Sequence, residues 1–236
     1  MHKATTEVPV DSHYYEAATP NSFAERLAVR ARDYMFQDFL RFARPQPHET
    51  ILDVGVSDVI GAAANVIERC YPHPAQITAL GLGAASSFQA EFPQVHYRQI
   101  QANQKLPFSD CSFDIATSNA VLEHVGSPEN QRFFMAELSR VALRVFVTVP
   151  YRFFPVEHHT NIPFLHWADT SFAAACTALG KAKWADAENL ILMSRQQLLA
   201  ACPHPGQARI GYTGLRLGPL SSNLYCYLAP QGRQGT

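Results

Sequence analysis

The sequence predicts an α/β protein, a mostly parallel sheet with helices on both faces, and three observations lead there. From residue 50 onward, strand-like and helix-like runs alternate, the pattern of strands linked by crossover helices. Several strand-like runs are nearly unbroken in apolar residues, as strands covered on both faces must be. The chain has 236 residues, is 47% hydrophobic and carries 15 Phe and 9 Tyr, enough for one core between a sheet and its flanking helices.

Taken in order, residues 1–21 lack periodicity. The run "SFAERLAVRARDYMFQDFLRFA" places Phe23, Leu27, Tyr34, Phe36, Phe39, Leu40 and Phe42 on one broad stripe with charges opposite, an amphipathic helix capped near Ser22. "RPQPHET" breaks it. "TILDVG", "QITALGL", "VHYRQI", "SFDIATSN" and "RVFVTVP" then read as strands. "VIGAAANVIERC", "AASSFQAEF" and "PENQRFFMAELSRVA" read as the helices between them. After Pro150 comes a long loop rich in aromatics and histidines, "YRFFPVEHHTNIPFLHWADT", then a helix from Ser171 and another at "SRQQLLAAC". The end reads as two strands joined at Gly218-Pro219, a terminal hairpin.

Composition narrows the function. A net charge of -1, a pI near 6.8 and no dense Lys/Arg cluster argue against nucleic acid as a partner. Five widely spaced cysteines with no C-x-x-C pair suggest neither a disulfide framework nor a zinc knuckle, and fit a reducing cytoplasm. The first residues carry no apolar run behind their positive charge, and no stretch approaches the roughly 20 apolar residues of a spanning helix. A soluble cytoplasmic protein is expected, with no membrane span.

In an open parallel sheet, ligands sit beyond the carboxyl ends of the strands where strand order reverses. The first strand-to-helix turn holds Asp53 and Gly55, a carboxylate and a residue that lets backbone pass close to a ligand. On its own this turn fits an ordinary tight turn as well as a cofactor loop. The segment "LPFSDCSFDIATSNAVLEHVGSPEN", residues 106–130, is sharper. It closely resembles the segment of class I S-adenosylmethionine-dependent methyltransferases of the type 11 family, in which L-P-F-x-D-x-S-F-D precedes a strand and V-L-E-H-V follows it. The resemblance extends into "VTVPYRFFPVEHHTNIPFLHW", where Pro150, Arg152, Phe154, Pro155, Glu157, His159, Thr160, Pro163, His166 and Trp167 match a pattern of some family members. Tyr151 stands where Asn is usual.

The resemblance covers roughly residues 22–230 and implies a Rossmann-like seven-stranded mixed sheet, mostly parallel with the last strand antiparallel. It implies an N-terminal segment and lid helix over residues 1–45 and a methyltransferase core over 46–230. It further implies S-adenosylmethionine as cofactor, with Asp53, Gly55, Val56 and Ser57 under its methionine part. Ser57 replaces the second glycine of the family loop. Gly81 stands where relatives carry the acid that grips the ribose, Leu82 would pack on the adenine, and Asn103 and Gln104 follow the third strand where an Asp meets the adenine amino group. Asn119 and Ala120 end the fourth strand beside the methyl-bearing sulfonium, which as a good leaving group mainly needs alignment with its acceptor.

An acceptor hydroxyl or amine benefits from a base, and His159 with Glu157 two positions before it lies in the loop leaving the fifth strand. His159 is therefore read as base or acceptor-orienting group, although the same residues could serve only to knit the loop. Glu123-His124 is read as helix capping or loop positioning. Glu157, His158, His159 and His166 offer metal-ligand chemistry, but adjacent loop histidines match no tight zinc spacing, so no metal is expected. Tyr14, Tyr15, Phe153, Phe154 and Trp167 would line an acceptor pocket or pack under the loop. The function expected is methyl transfer to a small-molecule acceptor. The thinned glycine loop and Gly81 also fit a relative that keeps the fold without the cofactor, as a scaffold or binding protein. A nicotinamide dehydrogenase is disfavoured, because "GVSDVIG" lacks the G-x-G-x-x-G spacing.

Overall fold

The computed structural model describes residues 22–229. Helix α1 (Phe23–Ala43) starts where the Ser22 hydroxyl accepts the Glu25 amide at 3.1 Å and ends at Arg44 in the left-handed region. Its buried face is narrower than the expected stripe. Ala31, Met35, Phe39 and Ala43, spaced by four, and Phe36 are buried, whereas Phe23, Leu27 and Tyr34 are 68%, 37% and 44% exposed. Against the sheet, Phe39 meets Phe146 edge-on at 5.8 Å and Phe42 stacks on Tyr225 at 4.6 Å.

Seven strands follow: β1 (Ile51–Val54), β2 (Ile77–Gly81), β3 (His96–Gln99), β4 (Phe113–Asn119), β5 (Ala142–Pro150), β6 (Ala208–Leu217) and β7 (Leu220–Leu228). Their order is β3-β2-β1-β4-β5-β7-β6. β1 to β5 are parallel, and β7 runs antiparallel to both β5 and β6. The expected Rossmann-like mixed sheet and terminal hairpin are both present. Between the strands lie α2 (Val66–Cys70), α3 (Ser86–Glu91), α4 (Pro128–Val141), α5 (Asp169–Ala178) and α6 (Arg195–Ala201). Ser194 and Gln197 close a capping box at the start of α6.

Alternation along the strands divides the core. Leu52, Val54, Ala116, Val145 and Val147 pack with Met135 and Leu138 of α4 and Leu198 of α6, while Ile51, Ile115 and Phe146 pack with α1 and α2 on the other face. Cys202 and Cys226, distant in sequence, meet as buried free thiols with sulfurs 3.4 Å apart. Strand order reverses between β1 and β4, the point at which sheets of this kind carry a ligand crevice at the carboxyl ends of their strands.

Candidate functional site

At the end of β1, Gly55 adopts φ +99°, and its amide and that of Val56 both bond the Leu80 carbonyl, at 2.8 and 3.0 Å. A Cβ at Gly55 would come within 2.2 Å of Val121 Cγ2, so glycine is required by the chain's own packing as well as by φ. The loop then folds on itself. Ser57 and Asn65 exchange two hydrogen bonds, the Ser57 hydroxyl accepts the Val59 amide, and Asp58 accepts the Phe88 amide. Asp53 is buried on the α2 side, where burial pushes its carboxyl up to about 7 despite the opposing pull of Glu68 and Arg32. Burial and the Asp53 charge push Glu68 well above the ordinary carboxylate range as well.

At the end of β2, a Cβ on Gly81 would stand 2.7 Å from the Tyr97 hydroxyl, which donates to the Gly83 carbonyl. Leu82 and Gly83 are half-buried, and nothing lies within 4 Å of where a Gly83 Cβ would be. Asn103 and Gln104 are exposed beyond β3; Asn103 donates to the Val125 carbonyl and Gln104 to Gln101. Asn119 and Ala120 sit half-buried at the end of β4, with Ala120 at φ +57°.

One crevice residue escaped the sequence reading. Arg32, among the charges of α1, donates to the Asn119 side-chain oxygen, which also accepts the Thr148 hydroxyl at 2.6 Å. Since Asn119 is the last residue of β4, Arg32 stands at the carboxyl end of that strand, where its charge also acts on Asp53, Glu123, His158 and His159. The motif around residue 106 has a structural reason of its own. Arg140 on α4 donates to the carbonyls of Leu106 and Phe108 and to Asp110, while Glu137 accepts the Leu106 amide at 2.8 Å. Phe108 then meets Phe113 edge-on at 4.9 Å.

The loop after β5 is organised on Glu157, which is 3% exposed. Its carboxylate accepts the backbone amides of His159 and Thr160, the Thr160 hydroxyl at 2.6 Å and His159 Nδ1 at 2.8 Å. Burial alone would raise Glu157, but these donors and the neighbouring His159 hold it down to about 2. His159 is raised in turn, since the Glu157 bond and the Glu157 and Glu123 charges outweigh burial. His159 Nε2 faces His124 Nε2 at 3.1 Å, and both rings lie near buried Trp184. The structure thus brings Glu157 and His159 together and adds Glu123 and His124.

His158 and His166 turn elsewhere, to the carbonyls of Ser222 at 3.1 Å and Phe154 at 2.8 Å. The capping role expected of Glu123-His124 is corrected: Ser127 caps α4 by accepting the Asn130 amide at 3.1 Å. Glu123 is instead buried in a 3-10 turn, Leu122–His124, with its carboxylate turned inward. Phe153 and Trp167 form part of an exposed aromatic rim with Phe164, and Phe154 stacks on His158; Tyr14 and Tyr15 lie outside the described residues.

Residues 52–144 match the family model described as a methyltransferase domain. No curated protein matches the chain. Among solved structures, PigF with SAH superposes at a TM-score of 0.56 and 17% identity over 88% of this chain, which spans 57% of that one. An S-adenosylmethionine-dependent methyltransferase from Methanosarcina mazei gives 0.51 and 14% over 78% of this chain and 94% of its own. The CurJ carbon methyltransferase gives 0.54 and 13% over 89% of this chain and 55% of its own. These likenesses show the fold.

Proposed function

From the match of residues 52–144 to a family model described as a methyltransferase domain, we propose that this protein transfers a methyl group from S-adenosylmethionine to a small-molecule acceptor in the cytoplasm. The observation that carries this reading is the meeting, at the carboxyl ends of β1 and β4, of exposed Gly55, half-buried Asn119 and Ala120, and the Arg32 guanidinium. Those residues fit the cofactor. Arg32 suits a carboxylate, exchanging the neutral Asn119 oxygen for a charged partner. Leu82 and the open backbone at Gly83 suit a flat base and its sugar, and Asn103 and Gln104 offer amides nearby. Val56 and Ser57, half-buried in the loop after Asp53, would lie under the methionine part. No carboxylate stands at Gly81, so ribose hydroxyls would be met by backbone or water. When bound, the cofactor supplies a methyl group on a sulfonium leaving group.

The chain's own work is then to align, to exclude water and to handle the acceptor's proton. On this reading α1 is the described part of the lid and brings Arg32 to Asn119 at the end of β4, above the methyltransferase core. His159 is the acceptor-side group, positioned by Glu157, and its half-buried ring lies in the loop after β5. Among the described residues no helix is long and apolar enough to cross a membrane.

A second reading, a scaffold or binding protein without cofactor, is favoured by Val121 and Tyr97, which fill the space beside Gly55 and Gly81. The deciding experiment is incubation of the protein with methyl-labelled donor and a small-molecule extract, followed by mass spectrometry. A product heavier by one labelled methyl supports the enzyme. Absence of any labelled product together with unconsumed donor supports the scaffold.

A further inference from the structure

Three ligand-bearing side chains converge beside the acceptor loop: one oxygen of Glu123 and one ring nitrogen each of His124 and His159 lie within 4.8 Å of one another. His124 Nε2 is 3.1 Å from His159 Nε2 and 4.0 Å from Glu123 Oε1. Ligand atoms on a tetrahedral zinc ion stand about 3.3 Å apart, given zinc–nitrogen bonds of about 2.0–2.1 Å. Shifts of an ångström or so would close the set around one ion.

The partners of the outer ring nitrogens assign the tautomers. His124 Nδ1 lies 2.6 Å from the Asn189 carbonyl, which can only accept, and His159 Nδ1 lies 2.8 Å from the Glu157 carboxylate. Both rings therefore carry hydrogen on Nδ1 and bring their Nε2 atoms face to face at 3.1 Å. Two lone pairs at that distance repel unless a cation or proton lies between them. Histidines that hold metals characteristically donate the other ring N–H to a carbonyl or carboxylate, as these two do.

A shared proton would serve the histidine pair but not Glu123. That side chain is 1% exposed, and neither carboxylate oxygen has a hydrogen-bond partner among the described residues. A buried polar group without a partner is costly. A cation at the convergence point satisfies all three groups at once.

We infer that Glu123, His124 and His159 bind one first-row divalent metal ion of the zinc type. Two imidazoles and one carboxylate suit zinc and its neighbours in the series, and three protein ligands leave a position for water or an acceptor atom. On the methyl-transfer reading, on which this role rests, the ion would orient the acceptor. The binding itself does not depend on that role.

The test uses chelator-treated full-length protein titrated with Zn2+ by calorimetry, with Co2+ absorption as the coordination readout and metal content by mass spectrometry. One equivalent is expected at submicromolar affinity, with visible Co2+ bands of low-symmetry coordination. His124→Ala and His159→Gln should each weaken binding at least about 100-fold, whereas His158→Ala, which removes a ring facing Ser222, should not. If a variant fails to fold by circular dichroism, the wild-type Co2+ spectrum still decides. Absence of stoichiometric binding, a shared proton only, or binding that survives loss of both histidines overturns the site. S-adenosylmethionine titrated into the metal-free protein separates the two ideas. Saturable donor binding without metal uptake leaves the methyl-transfer reading and removes the site; metal uptake without donor binding does the reverse.

Discussion

The Glu157 carboxylate receives the His159 Nδ1–H at 2.8 Å and so turns the other ring nitrogen toward His124. Around this bond the loop after β5 acquires a fixed shape, since Glu157 also gathers two backbone amides and the Thr160 hydroxyl. The same pair belongs to structure and to the proposed acceptor side, and the first prediction addresses its structural part.

Glu157 is held at about 2, below its ordinary 4.5. The folded protein binds this proton more weakly than the unfolded chain, so the stabilisation is complete above about pH 4.5 and is lost as pH falls toward 2. The shift corresponds to about 3 kcal/mol. Glu157→Gln should therefore cost up to about 3 kcal/mol at neutral pH, and its deficit should shrink as pH approaches 2. Denaturant unfolding of both proteins across this range checks it; a pH-independent deficit would show that the charge contributes nothing.

Arg32 gives a prediction about ligand affinity. Hydrogen bonds to charged groups contribute about 1.5–3 kcal/mol, so Arg32→Ala should weaken S-adenosylmethionine binding roughly 10- to 100-fold. Unchanged or tighter binding would make the guanidinium an obstacle in the crevice. Thermal shift or calorimetry with cofactor reads the difference.

At the first loop, Gly55→Ala should destabilise by about 1–3 kcal/mol through overpacking against Val121 and a left-handed backbone. Adding Val121→Ala removes the clash but not the backbone strain, so the double variant should recover only part of the loss. The coupling energy from denaturation of all four proteins measures the contact.

Arg140 ties the segment before β4 to α4. Arg140→Ala leaves the carbonyls of Leu106 and Phe108 without these donors and Glu137 without its cation, and should cost about 2–4 kcal/mol in unfolding free energy. A loss below about 0.5 kcal/mol would indicate that solvent replaces the clamp.

Much of this fold was legible in the chain because each signal was local. Apolar runs such as "RVFVTVP" became central strands, Gly218-Pro219 joined the hairpin strands, and Ser194 opened a helix where a cap belongs. The width of the α1 stripe was not legible, because burial there follows the sheet beneath it and ends above Ala31. Arg32 looked like any solvated charge on a polar helix face; only the fold carries it to Asn119, 87 residues away. Glu123 and His124 read as a cap or as loop-positioning residues because they adjoin a helix, and their approach to His159 depends on two loops meeting beyond β4 and β5.

The most direct test of the account is a calorimetric titration of the purified protein with S-adenosylmethionine and S-adenosylhomocysteine. Methyl transfer at the β1–β4 crevice predicts saturable one-to-one binding of both, lost or weakened in Arg32→Ala. Silence with both ligands at millimolar concentration would contradict it.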